Sequence, residues 1–233
     1  ARGLELCGPD EFFGMPLSAE GADPVALFYD GLARDYDSEI HGTSQRGLRQ
    51  QEWKRVLEEV DALDLPEGSR VLDFGAGTGR FSLPLAEKGM KVLALDRSGA
   101  MLEALRGKEQ RVETRRGCLE ALGDGELAFQ LILACSVLEY ADDLEPVMKE
   151  LAGRMAPGAH LVLSTAHPSC WRFFAQLGNA MRQGLWLRAR GKKELTRVLD
   201  SAGLEALRFA PLGARDCLGR PMALTVLARK PEA

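Results

Sequence analysis

Between residues 70 and 165, short apolar runs alternate with stretches of helical period. VLDF (71–74), VLALD (92–96), LILA (131–134) and LVLST (161–165) are brief, bounded and apolar on both faces. Such runs suit central strands of a parallel sheet covered by helices on each side. RVETR (111–115) is more polar and belongs near an edge. Leu144, Val147, Met148, Leu151 and Met155 recur on one helical face, with Asp142 or Asp143 as cap and Pro157-Gly158 as stop. Lys192 to Ala202 repeats the pattern with Leu195, Val198, Leu199 and Ala202, and Gly203 takes the C-cap place. EALRFAP (205–211) and ALTVLAR (223–229), joined by a Gly-rich turn, read as a closing hairpin. The pattern predicts an α/β fold: an open, mostly parallel sheet of seven strands, helices on both faces, and a C-terminal antiparallel hairpin.

Ahead of the sheet the signals are helical. DPVALFYDGLARDY (23–36) begins with Asp23 as cap and Pro24 in the first turn. A second helix is expected from Ser44 to Leu63, with Trp53, Val56, Leu57, Val60 and Leu63 on one face. Pro84 would deny Arg80 a helical hydrogen bond and kink the helix that follows the first strand. We therefore expect one domain over residues 1–233: a mobile arm (1–23), an N-terminal helical lid (24–63) and an α/β core (64–233) interrupted by an insertion (168–191).

Composition narrows the function classes. A chain of 233 residues with 45% hydrophobic and 27% charged residues can bury a full core. The formal net charge of -4 argues against nucleic-acid binding driven by bulk positive charge. No apolar run approaches the roughly 20 residues of a membrane-spanning helix. Five dispersed cysteines without a C-x-x-C pair read as free thiols in a reducing compartment, so a cytoplasmic setting is expected. His41, His160 and His167 lie far apart, and no metal site is expected.

The chemistry concentrates in Asp73-Phe74-Gly75-Ala76-Gly77-Thr78-Gly79, between a predicted strand and a helix. In an open α/β sheet, ligands bind beyond the carboxyl ends of the strands. Glycines there let the backbone turn sharply and present N–H groups. The spacing is G-x-G-x-G, whereas the dinucleotide fingerprint is G-x-G-x-x-G. Asp73, two residues before the first glycine, would repel a pyrophosphate and suits a cationic ligand such as an α-amino group. Asp96, closing the second strand, can accept both hydroxyls of a ribose or simply precede a helix at Ser98.

Residues 71–165 resemble the class I S-adenosylmethionine-dependent methyltransferases, closest in style to the small-molecule subgroup. The carriers are VLDFGAGTG, VLALDRSGAML, GCLEAL (117–122), FQLILACSVLEYADD (129–143) and LAGRMAPGAHLVLS (151–164), in family order. FYDGLARDYD (28–37) is similar to the segment that often closes over the cofactor. The resemblance implies a Rossmann-like sheet, S-adenosylmethionine as cofactor and S-adenosylhomocysteine as product. It implies that Gly75, Ala76, Gly77 and Gly79 contact the methionine portion, with Asp73 near the ammonium and Asp96 on the ribose. Arg97 and Met101 would flank the adenine, Leu119 would offer its backbone to the adenine edge, and Cys135 and Ser136 would line the methionine side. Tyr29 or Tyr36 would cap the sulfonium. Cys118 stands where many relatives carry an acid for the adenine amino group, and Ala159 replaces a glycine of P-G-G. CSVLEY is not the N-P-P-Y or D-P-P-Y of nucleobase and glutamine methylators, which points to a small-molecule acceptor.

His167, just past the strand 160–165, is the candidate general base, and the alternative is a loop histidine ordering the turn before Pro168. His41 could reach the same cleft, whereas His160 reads as structural. Within 168–191, Trp171, Phe173, Phe174 and Trp186 accompany Arg172, Arg182, Arg188 and Arg190 without an acid. That composition fits either a substrate cover binding an apolar, anionic acceptor or a helix on the core edge with a solvated basic face. Two rival functions stand beside methyl transfer: an NAD(P)-dependent oxidoreductase and a non-catalytic S-adenosylmethionine-binding protein. No nucleic acid or membrane partner is expected, and the oligomeric state is left open.

Overall fold

The computed structural model describes residues 23–38, 46–123, 128–170 and 187–232. Residues 1–22 of the expected arm (1–23), His41 and the stretch 171–186 of the insertion lie outside them. Two helices come first, α1 (Pro24–Leu32) and α2 (Arg46–Asp61), with a helical turn at 36–38 between. Then follow β1 (Arg70–Phe74), α3 (Ser82–Glu87), β2 (Lys91–Asp96), α4 (Gly99–Lys108), β3 (Glu113–Arg116), β4 (Phe129–Cys135), α5 (Leu144–Arg154), β5 (Met155–Ala166), α6 (Lys192–Ser201), β6 (Glu205–Arg215) and β7 (Pro221–Arg229).

The seven strands form one sheet in the order β3-β2-β1-β4-β5-β7-β6. Strands β1 to β5 pair in parallel, and β7 runs antiparallel to both β5 and β6. This is the Rossmann-like sheet expected, with the polar strand at one edge and the hairpin at the other. Successive strand residues feed opposite cores. Leu72, Phe74, Leu93 and Leu95 pack with α5 and α6, and Val71, Val92 and Ala94 pack with α2, α3 and α4. Helices therefore cover both faces, which is why the central strands are apolar throughout.

Chain order reverses between β1 and β4: the chain winds outward through β2 and β3, then returns to β4 on the other side of β1. Beyond the carboxyl ends of these strands the sheet opens into a crevice, the usual place for a ligand.

Local signals hold with three corrections. Asp23 caps α1, accepting from the N–H of Val25 at 3.0 Å and of Ala26 at 3.3 Å. Asp143 caps α5 through the Glu145 N–H, and Gly203 follows α6 with φ of 71°. The first correction is Pro84. Helix α3 begins only at Ser82, so Pro84 sits in its first turn, where no helical N–H partner is required, and kinks nothing. The second is the face of α2: its buried residues are Glu52, Val56, Glu59 and Val60, while Trp53 is exposed. The third concerns the cysteines. Cys135, Cys170 and Cys217 are free, but Cys118 is disulfide-bonded, because dispersal along the chain does not report proximity in space.

Among the described residues no helix is long and apolar enough to cross a membrane, and no group of His, Cys, Asp and Glu is arranged to hold a metal.

Candidate functional site

The crevice is a cavity of about 1120 Å³, counted to its open mouth. Its floor is the loop after β1. Gly75 has φ of 79°, and a Cβ there would meet the Val137 side chain at 2.6 Å. Gly79 has φ of 87°, and a Cβ would strike Leu105. Both positions require glycine, on backbone grounds and for space. Nothing stands within 4 Å of a Cβ placed on Gly77, so that backbone faces open space. The N–H groups of Gly75 and Ala76 return to the Leu95 carbonyl at 2.8 and 3.2 Å, which fastens the loop to β2.

Asp96 ends β2 beside this loop. One of its oxygens accepts the Gly77 N–H at 2.8 Å and the other the Ser98 N–H at 2.9 Å. The Arg97 N–H also favours this carboxylate, so of its roughly four acceptor sites about one is left for the cavity that Asp96 lines. Burial raises its pKa, against the opposing N–H groups of Ser98 and Gly77.

Asp73 is placed differently from its neighbours in the motif. It is 1% exposed, does not line the cavity, and accepts the Ser82 hydroxyl at 2.6 Å from beneath the loop. Burial pushes its pKa up to about 6; Ser82 opposes this and the charge of Asp96 adds to it. Asp73 is thus a source of negative potential under the glycines.

The opposite wall comes from α2, which sequence reasoning did not assign to the site. Glu52 is buried and accepts the hydroxyls of Ser136 at 2.7 Å and Ser164 at 2.5 Å, Arg49 at 3.2 Å and Arg80 at 3.0 Å. Burial alone would raise its pKa, but Arg49, the Ser164 hydroxyl, Arg80 and the Ser136 hydroxyl outweigh that, and it lies below the usual range. For Arg49, burial disfavours the charge, and Glu52 and Tyr36 more than restore it. Ser136 adopts φ of 54°, a conformation that costs a β-branched or bulky residue dearly and any non-glycine residue about 1–3 kcal/mol. That backbone turns its hydroxyl into the Glu52–Arg49 pair, 2.6 Å from Arg49.

Three phenols close the cavity. Tyr29 from α1 and Tyr36 from the following turn both line it, and Tyr140, from the 3-10 turn Leu138–Tyr140, meets the Tyr29 hydroxyl in a direct hydrogen bond. The Tyr29 ring stands edge-on to those of Tyr36 and Tyr140, each with centroids 6.0 Å away. Burial raises all three pKa values, so the phenols are neutral at physiological pH.

Of the residues expected at the site, Tyr29, Tyr36, Gly75, Ala76, Gly77, Asp96, Arg97, Met101, Cys118, Cys135 and Ser136 line one cavity. Asp73, Gly79 and Leu119 sit just behind it, Leu119 in the core. His167 follows β5 and is not part of the lining; its N–H is bound to the Met222 carbonyl at 3.0 Å. Arg188 pairs with Asp142 at 2.5 Å, and Arg190 with Glu194 at 2.7 Å and the Ala141 carbonyl. These two arginines brace the rim of the cavity. Arg49, Glu52, Arg80 and Tyr140 were missed. An acid at position 52, one helical turn before buried Val56, was the available signal for α2, and Tyr140 stands in the quoted CSVLEY motif.

A model of the methyltransferase domain matches residues 45–208, most of the chain and nearly all of this site. The chain belongs to the class I S-adenosylmethionine-dependent methyltransferases. It is 31% identical over 148 residues to the demethylmenaquinone methyltransferase of Renibacterium salmoninarum, covering 63% of this chain and 61% of that protein. Similarity to the bifunctional biotin-biosynthesis protein of Cellvibrio japonicus is 27% over 221 residues, 92% of this chain and 42% of that one. The chain thus spans about three fifths or less of the length of these relatives. Among solved structures, the magnesium protoporphyrin IX methyltransferase of Synechocystis with bound S-adenosylhomocysteine superposes with a TM-score of 0.70 at 19% identity, over 88% of this chain and 97% of that one. A methyltransferase from Mesorhizobium loti gives 0.63 at 24% identity, over 77% and 97%. These likenesses establish the fold, and membership of the family displaces the oxidoreductase reading.

The donor set of this methyltransferase fits the family's cofactor. Asp96 offers a carboxylate in the cavity lining for a ribose, and Val25, Ala26 and Met101 supply apolar surface in the same cavity for a base. The open Gly77 backbone and the Arg49 cation face the same cavity, matching an amino acid with a carboxylate end.

Proposed function

We propose that this protein transfers a methyl group from S-adenosylmethionine to a small-molecule acceptor. The observation that carries the reading is Asp96, held by the Gly77 and Ser98 N–H groups in the lining of a cavity that Arg49 also lines. When bound, S-adenosylmethionine supplies an electrophilic methyl group on a sulfonium. Asp96 holds the ribose, Gly75 to Gly77 cradle the methionine backbone, and Arg49 takes its carboxylate. Asp73, beneath the loop, favours the positive end of the ligand through its potential. Gly79 and Leu119 support the loop and the adenine edge from behind, Arg97 and Met101 flank the adenine, and Cys118 lies at its far side.

Tyr29, Tyr36 and Tyr140 exclude water, and a cation set over a ring face is stabilised by about 0.5–2 kcal/mol. Aligning acceptor and methyl can itself contribute roughly 7–11 kcal/mol. His167 is the proposed proton acceptor. It stands at the carboxyl edge of β5, and burial lowers its pKa, with the Pro168 contact opposing, so it is neutral and basic at pH 7.

A small acceptor is supported by the concave cavity, whose lining includes Val25, Ala26 and the three tyrosines, and by the net charge of -4. Relatives named for quinone methylation point the same way, while a tRNA 5-carboxymethoxyuridine methyltransferase of Escherichia coli, 30% identical over 58% of this chain and 54% of that protein, marks the contrasting acceptor class. The test is calorimetric titration of the chain with S-adenosylhomocysteine and with NAD, followed by transfer of labelled methyl groups into a metabolite extract or bulk tRNA. Micromolar binding of the first ligand, none of the second, and label in low-molecular-mass products are expected. Label confined to tRNA would overturn the acceptor class, and binding without any transfer would favour a non-catalytic role.

A further inference from the structure

Three aspartates stand seven residues apart before α2: Asp23, Asp30 and Asp37. Each reaches a different piece of the cavity wall. Besides capping α1, Asp23 pairs with Arg97 at 2.5 Å. Asp30 accepts the Ser98 hydroxyl at 2.5 Å and the Ala100 N–H at 3.1 Å. The Ser98 hydroxyl in turn accepts the Met101 N–H at 3.1 Å, so a carboxylate from α1 completes the cap of α4 at the positive end of that helix. Asp37 accepts the Thr78 hydroxyl and the Lys108 ammonium, both at 2.6 Å, and Lys108 also donates to the Thr78 carbonyl at 3.0 Å.

None of the three carboxylates lines the cavity, yet Arg97, Ser98 and Thr78, which they hold, all do. The same segment presents Val25, Ala26, Tyr29 and Tyr36 inward. The division of labour is therefore clear: apolar and aromatic side chains cover the cleft, and the acids fasten the cover to the loops after β1 and β2. While these contacts hold, the segment stays against the cavity wall, and a ligand entering or leaving past it must displace it. The anchors are partly solvent-exposed ion pairs and charged hydrogen bonds, which salt weakens.

We propose that Asp23, Asp30 and Asp37 are positioning residues that latch residues 23–38 over the nucleoside end of the cleft, and so set a salt-dependent rate of cofactor release. The release-rate part rests on the cofactor reading above; the latch itself rests on the contacts.

The experiment is displacement of labelled S-adenosylhomocysteine from the full chain by excess unlabelled ligand, with Asp30→Ala, Asp37→Ala and the double variant. Amide hydrogen exchange over residues 24–38 is measured in the ligand-free proteins. Asp30→Ala should speed release about tenfold, the scale of a charged hydrogen bond, and Asp37→Ala about threefold, the scale of an exposed pair. Asp30→Asn, which keeps an acceptor without the charge, should fall between wild type and Asp30→Ala. Raising salt from about 50 to about 500 mM should speed release from wild type more than from the double variant, which keeps only the Asp23–Arg97 pair. Exchange over 24–38 should rise in the variants even without ligand. Equal exchange and equal release rates in wild type and double variant would overturn the latch. Failure of the wild-type chain to bind S-adenosylhomocysteine would instead overturn the cofactor reading and the release-rate claim, with the exchange result still deciding the latch.

Discussion

Gly77 donates its backbone N–H to the Asp96 carboxylate at 2.8 Å, which joins the loop after β1 and the end of β2 into one unit. Asp96 is thereby aimed before any ligand arrives, and the loop cannot shift without disturbing it. Asp96→Ala removes the acceptor for the ribose and releases Gly77 and Ser98 together. Calorimetry should show cofactor affinity weakened by about 1–3 kcal/mol, the scale of a lost charged hydrogen bond. Unchanged affinity would show that the ribose does not sit at Asp96.

Asp73 makes binding depend on pH. Its folded pKa of about 6 lies above the ordinary 3.8, so the folded, ligand-free chain takes up a proton more readily than the unfolded chain. The sign follows: this group stabilises the fold increasingly as pH drops from about 7 toward 4. Binding a cationic ligand has the opposite preference, since it gains from the ionised carboxylate. Affinity for S-adenosylmethionine should therefore fall as pH is lowered through 6, and Asp73→Asn should flatten that profile. An identical profile in wild type and variant would remove Asp73 from the electrostatics of the site.

Glu52 compensates two half-buried arginines, so its loss should be felt in stability. Glu52→Ala leaves Arg49 and Arg80 near each other without a counter-charge, a cost of about 1–3 kcal/mol because both arginines still reach solvent. Urea unfolding should show a lower midpoint, with Glu52→Gln intermediate because it can still accept from Ser136 and Ser164. A midpoint equal to wild type for the alanine variant would contradict the network.

His167→Ala separates proton transfer from binding. If the imidazole accepts the acceptor's proton, turnover with the true acceptor should fall by about 10²–10⁴-fold while cofactor affinity is kept. Full turnover in the variant would leave His167 as the residue that orders the chain before Pro168.

The elements that build the floor of the site were readable because local physics fixes them. VLDF and VLALD can be buried on both faces only as central strands, and Gly75 and Gly79 are required by backbone angle and by Val137 and Leu105. Asp96 was placed by its position at a strand end. The α2 face was misread at Trp53, because a helix normally turns its largest apolar residues inward. Here the buried stripe carries Glu52 and Glu59, which are met by Arg49 from the same helix and by Arg80 and Arg208 from elsewhere in the chain. His167 was placed by its position after a strand, and in the structure it follows β5 with its backbone N–H bound to the Met222 carbonyl of β7.

The chain's own order of residues determined the strands, their sequence of helices, the glycine loop and the acid that ends β2, since each depends on near neighbours or on period. Tertiary structure alone decided that Asp73 points beneath the loop, that Glu52 gathers Arg49, Arg80, Ser136 and Ser164, and that Tyr29 meets Tyr140. Those arrangements join residues separated by as many as 112 positions, and the Ser164–Glu52 contact is the longest of them. Only the folded sheet brings such groups within hydrogen-bond reach, because a contact between distant segments is chosen by packing and charge, not by local preference.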